Sequence, residues 1–162
     1  MRNIELKARL EGLDEAIRAA QELCGESSSD MRQVDTYFVV ETGRLKLREI
    51  SSAKGGKSEL IYYDRPNVRG ARRCDYEISP VAGPAALKRT LAAALGVRSI
   101  VTKQRTVYLW QNVRIHLDRV EQLGTFIEFE AVMSEDATDA EGEALNEELK
   151  ERFRLCDADV VD

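Results

Sequence analysis

Short segments in which apolar and charged residues alternate most constrain how this chain can fold. From Asn3 to Leu10, apolar side chains alternate with Glu5, Lys7 and Arg9. A period of two is typical of a β-strand with one face buried. Similar patterns later in the sequence predict further strands at residues 33–40, 44–50, 58–64, 74–79, 99–110, 113–120 and 125–133.

Three other segments carry the spacing of a helix. Apolar residues recur every three or four positions in residues 13–24, 84–95 and 136–153. Gly25 and Gly96 follow the first two segments as stop signals, and Pro84 opens the second. Short polar turns join successive strands, so we expect antiparallel pairing. The pattern predicts an α+β fold of eight antiparallel strands and three helices.

Composition narrows the class of protein. The 162 residues are 43% hydrophobic and 33% charged, which is typical of one globular domain spanning 1–162. No apolar stretch approaches the roughly 20 residues of a membrane-spanning helix. The net charge of −5 argues against nucleic-acid binding, and the three cysteines lack the spacing of a zinc site. We therefore expect a cytoplasmic protein that binds neither nucleic acid nor membrane.

The charged strand faces suggest where the chemistry lies. Cations share a face at Lys46 and Arg48, whereas carboxylates share one at Glu128 and Glu130. One interpretation is that these are solvent faces of amphipathic strands. In the other, the sheet closes and the faces point into one cavity, where like charges need a neutralising partner. Lys and Arg bind phosphate oxygens and carboxylates bind Mg²⁺ or Mn²⁺, so that interpretation predicts a polyphosphate with a metal ion.

Several of these motifs together resemble the CYTH superfamily, whose members are also called triphosphate tunnel metalloenzymes. They are Asn3-Ile4-Glu5-Leu6-Lys7, Lys46-x-Arg48, Lys103-x-Arg105, Arg114-Ile115-His116-Leu117-Asp118 and Leu123-Gly124-x-Phe126-Ile127-Glu128-Phe129-Glu130. The resemblance runs from about Asn3 to Met133. It implies an enzyme built as an eight-stranded antiparallel β-barrel that closes into a tunnel, with Mg²⁺ or Mn²⁺ as cofactor.

The resemblance also implies a role for each matching residue. The implied metal ligands are Glu5, Asp118, Glu128 and Glu130. The implied triphosphate-binding cations are Lys7, Arg9, Lys46, Arg48, Lys103, Arg105 and Arg114, to which looser spacing adds Arg65 and Arg73. The implied catalytic residues are Glu5, Lys7, Asp118 and Glu128.

Three further residues bear on these roles. The family signature is E-x-E-x-K, and Asn3 stands where its first Glu is expected. An asparagine carbonyl can coordinate a metal but brings no charge, so both one-metal and two-metal sites stay open. His116, the sole histidine, is expected to form hydrogen bonds in the pocket wall. Trp110 is expected to pack, with stacking on an adenine ring as the alternative.

Three functions are open on the basis of this resemblance. The first is a class IV adenylate cyclase that converts ATP to cyclic AMP and pyrophosphate. The second is a triphosphatase that hydrolyses inorganic tripolyphosphate, thiamine triphosphate or a nucleoside triphosphate. The third is a non-catalytic polyphosphate- or nucleotide-binding protein, which Asn3 favours. Oligomeric state stays open, with a homodimer as one alternative.

Overall fold

Eight strands and three helices follow one another in this computed structural model, which describes residues 1–161. In chain order they are β1 (Arg2–Leu10), α1 (Leu13–Cys24), β2 (Ser29–Phe38), β3 (Arg44–Ser52), β4 (Gly55–Asp64), β5 (Arg72–Pro80), α2 (Pro84–Leu95), β6 (Val97–Trp110), β7 (Val113–Val120), β8 (Gly124–Val132) and α3 (Asp139–Arg152). No helix among the described residues is long and apolar enough to cross a membrane.

The eight strands form one closed antiparallel barrel. Their order around the barrel is β1-β5-β4-β3-β2-β6-β7-β8, and β1 closes the ring by pairing with both β5 and β8. Closure pairs each strand with a neighbour on both sides for at least part of its length. The predicted α+β fold, an eight-stranded antiparallel tunnel with three helices, is confirmed.

The hydrophobic core lies on the outside of the barrel wall. The outward side chains of β1, Ile4, Leu6 and Ala8, are buried together with Ala20 of α1 and Leu149 of α3. Helices α1 and α3 therefore cover the apolar face of the sheet, and the same alternation turns the charged faces of β1, β3, β6 and β8 into the barrel.

Helix α3 approaches β1 very closely. A Cβ atom at Gly142 would lie 2.6 Å from Cγ1 of Ile4, so a side chain there would force the helix away. One turn later, the buried amide of Asn146 donates a hydrogen bond to the carbonyl of Ile4 at 3.0 Å. Helix α3 begins at a capping box between Thr138 and Glu141, slightly later than the sequence pattern predicted.

The ring is weakest between β1 and β5. These strands share four residue pairs, whereas β1 and β8 share eight. Residues 158–161, which we name the C-terminal segment, fill the remaining gap beside β1. The amide of Arg9 donates to the carbonyl of Asp159 at 2.8 Å, and that of Val161 donates to the carbonyl of Lys7 at 2.9 Å. Arg69 donates to two further carbonyls of the segment.

Several predicted strand boundaries were wrong, and the hairpin of β3 and β4 and the start of β2 show why. The predicted strands 44–50 and 58–64 leave residues 51–57 between them, but β3 and β4 extend into this stretch and leave a short turn at the hairpin tip. Strand β2 begins at Ser29 because this residue pairs with Val107 of β6. Runs of Ser and Gly suggest turns by composition, but cross-strand pairing overrides that preference here.

Candidate functional site

The barrel encloses a cavity of about 440 Å³. It opens at the end of the barrel where β1 begins, and there the lining residues Leu109 and Ile78 are exposed. The charged residues that line it are Glu5, Lys7, Lys46, Arg48, Lys57, Glu59, Arg65, Lys103, Arg105, Arg114, Glu128 and Glu130. The strand faces predicted to converge thus lie together in one cavity.

Three carboxylates form an acidic cluster on β1 and β8. One oxygen from each of Glu5, Glu128 and Glu130 lies within 4.8 Å of the others. Register brings them together, since Glu5 pairs with Glu130 and Lys7 pairs with Glu128. Nearby on β1, the buried Oδ1 of Asn3 has no hydrogen-bond partner among the described residues. Hard oxygen donors with an unsatisfied carbonyl beside them fit a site for Mg²⁺ or Mn²⁺.

Asp35 holds the cations of β3 in place. Its carboxylate accepts two hydrogen bonds from Arg48, at 2.9 and 3.0 Å, and lies 3.1 Å from Nζ of Lys46. Burial raises the pKa of Asp35, but the two cations outweigh this effect and hold its pKa well below the usual range. Sequence reasoning missed this residue, although it alternates in phase with Gln33 and Tyr37 on the inner face of β2.

Asp118 holds the cations of β6 in the same way. Arg105 donates two hydrogen bonds to it, at 2.6 and 2.7 Å, and Lys103 donates a third at 3.0 Å. Its side chain is fully buried and lies outside both the acidic cluster and the cavity lining. Burial raises the pKa of Asp118, yet Arg105 and Lys103 bring it well below its usual range. The structure therefore places this implied metal ligand behind the cations, where both of its oxygens are engaged.

Glu128 connects the cations of β6 to the acidic cluster. Its Oε2 accepts a hydrogen bond from Arg105 at 2.7 Å and lies 3.4 Å from Nδ1 of His116. Burial raises the pKa of Glu128, but His116 and Arg105 keep it well below the usual range. Burial and the charge of Arg105 lower the pKa of His116, which favours the neutral imidazole. His116 lines the cavity wall, the position expected from the sequence.

Glu5 contacts two arginines. Arg65, which the sequence placed in the site on loose spacing, donates to Oε1 of Glu5, and Nε of Arg72 lies 3.4 Å from the same atom. Burial and the nearby Glu128 raise the pKa of Glu5 in spite of Arg65. The assignment of Arg73 to the site was wrong. Arg73 is half exposed and pairs with Asp75, because inward positions of β5 are even-numbered.

Two other implied cations lie toward the ends of the barrel. Arg9 is exposed beyond the cavity lining, with its guanidinium 5.3 Å from the ring centre of Phe126. Arg114 lies near the open end, 3.5 Å from Glu130. Lys7 lies between these levels and does line the cavity. Trp110 points outward and packs against the core, so it does not stack in the tunnel.

Lys103 is a buried cation with an unusual titration. Burial lowers its pKa to about 7, helped by the neighbouring charge of Arg105 and opposed by Asp118. A negative charge brought next to this amine would favour its protonated form and raise its pKa. This group is therefore suited to an anionic ligand.

Tyr37 and Tyr63 divide the interior. Both line the main cavity and also a second cavity of about 240 Å³ on the side away from the open end. The hydroxyl of Tyr37 lies 3.5 Å from Nζ of Lys46. The main cavity is thus bounded at its deeper end by aromatic side chains beside the cations.

Cations and carboxylates that face one another inside a closed eight-stranded β-barrel define the class of tunnel proteins that bind triphosphates. Residues 1–162 match the family model of the CYTH domain, and the chain belongs to this family. Members of the family are enzymes that act on triphosphates and use divalent metal ions. No match was found among curated proteins.

Solved structures support the same fold. The PH1012 protein of Pyrococcus horikoshii OT3 is 26% identical with a TM-score of 0.82, covering 98% of this chain and 93% of that one. A "putative adenylate cyclase" from Vibrio parahaemolyticus is 20% identical with a TM-score of 0.80, covering 99% and 92%. An RNA triphosphatase from Schizosaccharomyces pombe is 16% identical with a TM-score of 0.51, covering 94% and 79%. The last two likenesses concern the fold alone.

Proposed function

We propose that this chain is a metal-dependent enzyme that converts ATP to cyclic AMP and pyrophosphate, as class IV adenylate cyclases do. One observation carries the proposal: the carboxylates of Glu5, Glu128 and Glu130 line the same cavity as the cations of β3 and β6. Its volume of about 440 Å³ falls within the ordinary range for sites that bind a small organic molecule. The fold-level likeness to the Vibrio parahaemolyticus protein agrees with this function.

The acidic cluster would hold the metal ion. Glu5, Glu128 and Glu130 offer carboxylate oxygens, and Asn3 offers an unsatisfied carbonyl oxygen. When bound, Mg²⁺ or Mn²⁺ would supply positive charge that lowers the pKa of the attacking hydroxyl. The family signature has a glutamate in place of Asn3, so this chain would carry one negative charge fewer near the ion.

The cations of β3 and β6 would hold the phosphates. Lys46 and Arg48 share the single carboxylate of Asp35, and Lys103 and Arg105 share that of Asp118. Each group keeps a surplus of positive charge when the lysine is protonated, while the buried aspartate fixes where the donors lie. Donors fixed before the reaction stabilise developing negative charge without reorganising.

The chemistry proposed for this site is a single displacement at phosphorus. The ribose 3′-oxygen forms a bond to the α-phosphorus, and the bond from that phosphorus to the bridging oxygen of the β-phosphate breaks. Pyrophosphate leaves with the electron pair, and the hydroxyl proton passes to water. Lys46, Arg48 and Arg105 would stabilise the charge that gathers on pyrophosphate.

One assay separates this function from the others. Purified protein would be incubated with Mg²⁺ or Mn²⁺ and with ATP, tripolyphosphate or thiamine triphosphate, and cyclic AMP, pyrophosphate and orthophosphate would be measured. We expect cyclic AMP and pyrophosphate in equal amounts from ATP. Orthophosphate without cyclic AMP would overturn the proposal in favour of a triphosphatase. Tight binding without any product would overturn it in favour of a non-catalytic binding protein.

A further inference from the structure

Three arginines line the second cavity, on the side of Tyr37 and Tyr63 that faces away from the open end. They are Arg44, Arg65 and Arg98, and the described residues contribute no carboxylate to this lining. The main cavity differs, because four glutamates lie among the cations of its lining. The second cavity is therefore lined by charges of one sign.

Strand register brings two of these arginines to the same end of the barrel. Phe38 of β2 pairs with Leu45 of β3 on one side and with Val97 of β6 on the other. Arg44 and Arg98 are the chain neighbours of these two partners, so they flank the end of β2. Neighbouring strands lie about 4.8 Å apart, which separates the two backbones by about 10 Å. Two arginine side chains can span such a gap to reach one anion.

The donors of these arginines are only partly used. Within residues 1–161, the exposed Arg98 has no ion pair, and the buried Nε of Arg65 has no hydrogen-bond partner. Arg44 donates to the amide oxygen of Asn67 and lies 5.5 Å from the ring centre of Tyr63, and neither partner carries a charge. Arg65 is paired with one carboxylate of the acidic cluster. The second cavity therefore keeps a surplus of positive charge.

Size and chemistry indicate the class of ligand. The volume of about 240 Å³ is below the range of roughly 300–1,000 Å³ that holds a larger organic molecule. The planar guanidinium of arginine binds phosphate through two parallel hydrogen bonds. Phe38 is only 2% exposed and lines the same cavity, so part of the site is shielded from water and salt. These features fit a small phosphate anion better than a nucleotide.

We propose that the second cavity is a separate binding site for a small phosphate anion, such as orthophosphate or pyrophosphate. Arg98 and Ser99 are exposed, so the anion enters from solvent without passing through the main cavity. Tyr37, Tyr63 and Arg65 line both cavities, so this anion lies next to the ligand of the main cavity. The site does not depend on which reaction the main cavity carries out.

Calorimetry in the presence of a chelator tests this site. Pyrophosphate would be titrated into the protein after an excess of an α,β-methylene analogue of ATP has been added to fill the main cavity. We expect one pyrophosphate to bind per chain. Arg44→Gln and Arg98→Gln should each raise its Kd by about 10-fold, because each removes a charged donor. The Kd of the ATP analogue should change by less than about 2-fold, since neither arginine lines the main cavity.

Arg119→Gln is the matched control. Arg119 is an exposed arginine of β7 that lines neither cavity, and its replacement removes the same charge. This variant should leave the Kd of pyrophosphate unchanged. If Arg119→Gln weakens pyrophosphate as much as the other two variants do, or if Arg44→Gln and Arg98→Gln have no effect, the inference is wrong.

Competition separates a free anion from the terminal phosphate of a substrate. If the ATP analogue prevents pyrophosphate from binding, and Arg44→Gln and Arg98→Gln weaken the analogue itself, the second cavity holds the end of a triphosphate. That result would overturn the separate site, as would a wild-type protein that binds no pyrophosphate beside the analogue. Neither result bears against the proposed function, which is tested by its products.

Discussion

Glu128 and Asp118 are acidic residues on the inner faces of neighbouring strands, yet their surroundings differ. Glu128 lines the cavity within the acidic cluster, whereas Asp118 is fully buried and bonded to two cations. The first is placed to meet a ligand. The second is placed to position Lys103 and Arg105, and its removal would leave buried charges unpaired.

Replacing Glu128 should separate activity from stability. We expect Glu128→Ala to lower turnover by at least about 100-fold, because the proposed ion loses a ligand. The free energy of unfolding should fall by less than about 1 kcal/mol, since Arg105 keeps its bonds to Asp118. Turnover and urea denaturation would be measured together. Glu49→Ala, on the outer face of β3, is the control and should stay active. An active Glu128→Ala enzyme would contradict the assignment.

Replacing Asp118, unlike replacing Glu128, should mainly lower the stability of the protein. We expect Asp118→Ala to lower the free energy of unfolding by about 3–5 kcal/mol in metal-free buffer, because Arg105 and Lys103 lose a buried partner. Urea denaturation of this variant beside Glu128→Ala measures the difference. If Asp118 were instead a metal ligand with no part in positioning these cations, metal-free stability would hardly change.

Asn3 offers a test by gain of function. We expect Asn3→Glu to tighten Mn²⁺ binding on the order of 10-fold, because it adds a carboxylate beside Glu5 and Glu130. Without metal the variant should melt at a lower temperature, since the added charge meets like charges. Thermal unfolding with and without Mn²⁺ measures both effects, and Asn3→Gln is the uncharged control. Unchanged Mn²⁺ dependence would show that position 3 lies outside the metal site.

At the scale of strands and helices, the alternation of apolar and polar residues was enough to predict most elements of the fold. The periodicity of two predicted all eight strands and the inward charged faces of β1, β3, β6, β7 and β8, and Gly and Pro signals predicted α1 and α2 at their observed bounds. The family resemblance supplied the closure into a tunnel. Together these anticipated which charged faces share a cavity.

The errors arose where contacts with a neighbouring strand, and not the local sequence, determine the structure. Both Arg72 and Arg73 precede the predicted start of β5, and only the observed pairing with β1 shows that Arg72 is buried while Arg73 points outward. Asp35 was overlooked because a single acid within a strand suggests nothing until its cationic neighbours on the next strand are known. The C-terminal segment lacks any periodic pattern, and its role depends on contacts with β1 that are remote in sequence.

The C-terminal segment should contribute measurably to the barrel. Ending the chain after residue 157 removes two backbone hydrogen bonds to β1, two from Arg69 and one from Arg72. At about 1 kcal/mol each, we expect the free energy of unfolding to fall by about 2–4 kcal/mol. Arg69→Ala should lose about half as much. Urea denaturation of both variants measures this loss, and an unchanged midpoint after truncation would show that β1 and β5 suffice to close the ring.

At the scale of the whole molecule, charge is unevenly distributed. The chain carries a net charge of −5, although cations outnumber carboxylates in the cavity lining. The outer surface is therefore more acidic than the total suggests. An anionic substrate is attracted by the cations inside the barrel, where water and salt screen charges less than at the surface.

Ligand binding should take up a proton. The pKa of Lys103 is lowered to about 7 by burial and by Arg105, so Lys103 is mostly neutral at pH 8 in the free protein. Phosphate favours its charged form, so binding should raise this pKa, and affinity should fall as pH rises above 7. Calorimetry of ATP binding at pH 8, in two buffers with different ionisation enthalpies, measures the uptake. Lys103→Arg should abolish it, and uptake that persists in that variant would assign the proton to another group.

The placement of the hydrophobic core outside the barrel affects how this molecule can change over time. Along β1, Ile4, Leu6 and Ala8 hold the helices, while Asn3, Glu5 and Lys7 face the cavity. Adjacent positions in the chain are thus subject to different selection, one for folding and the next for chemistry. Substitutions at cavity positions can accumulate without loss of the fold, so one scaffold can exchange one reaction on triphosphates for another. A saturation mutagenesis scan of β1 should therefore alternate residue by residue between loss of abundance and loss of activity.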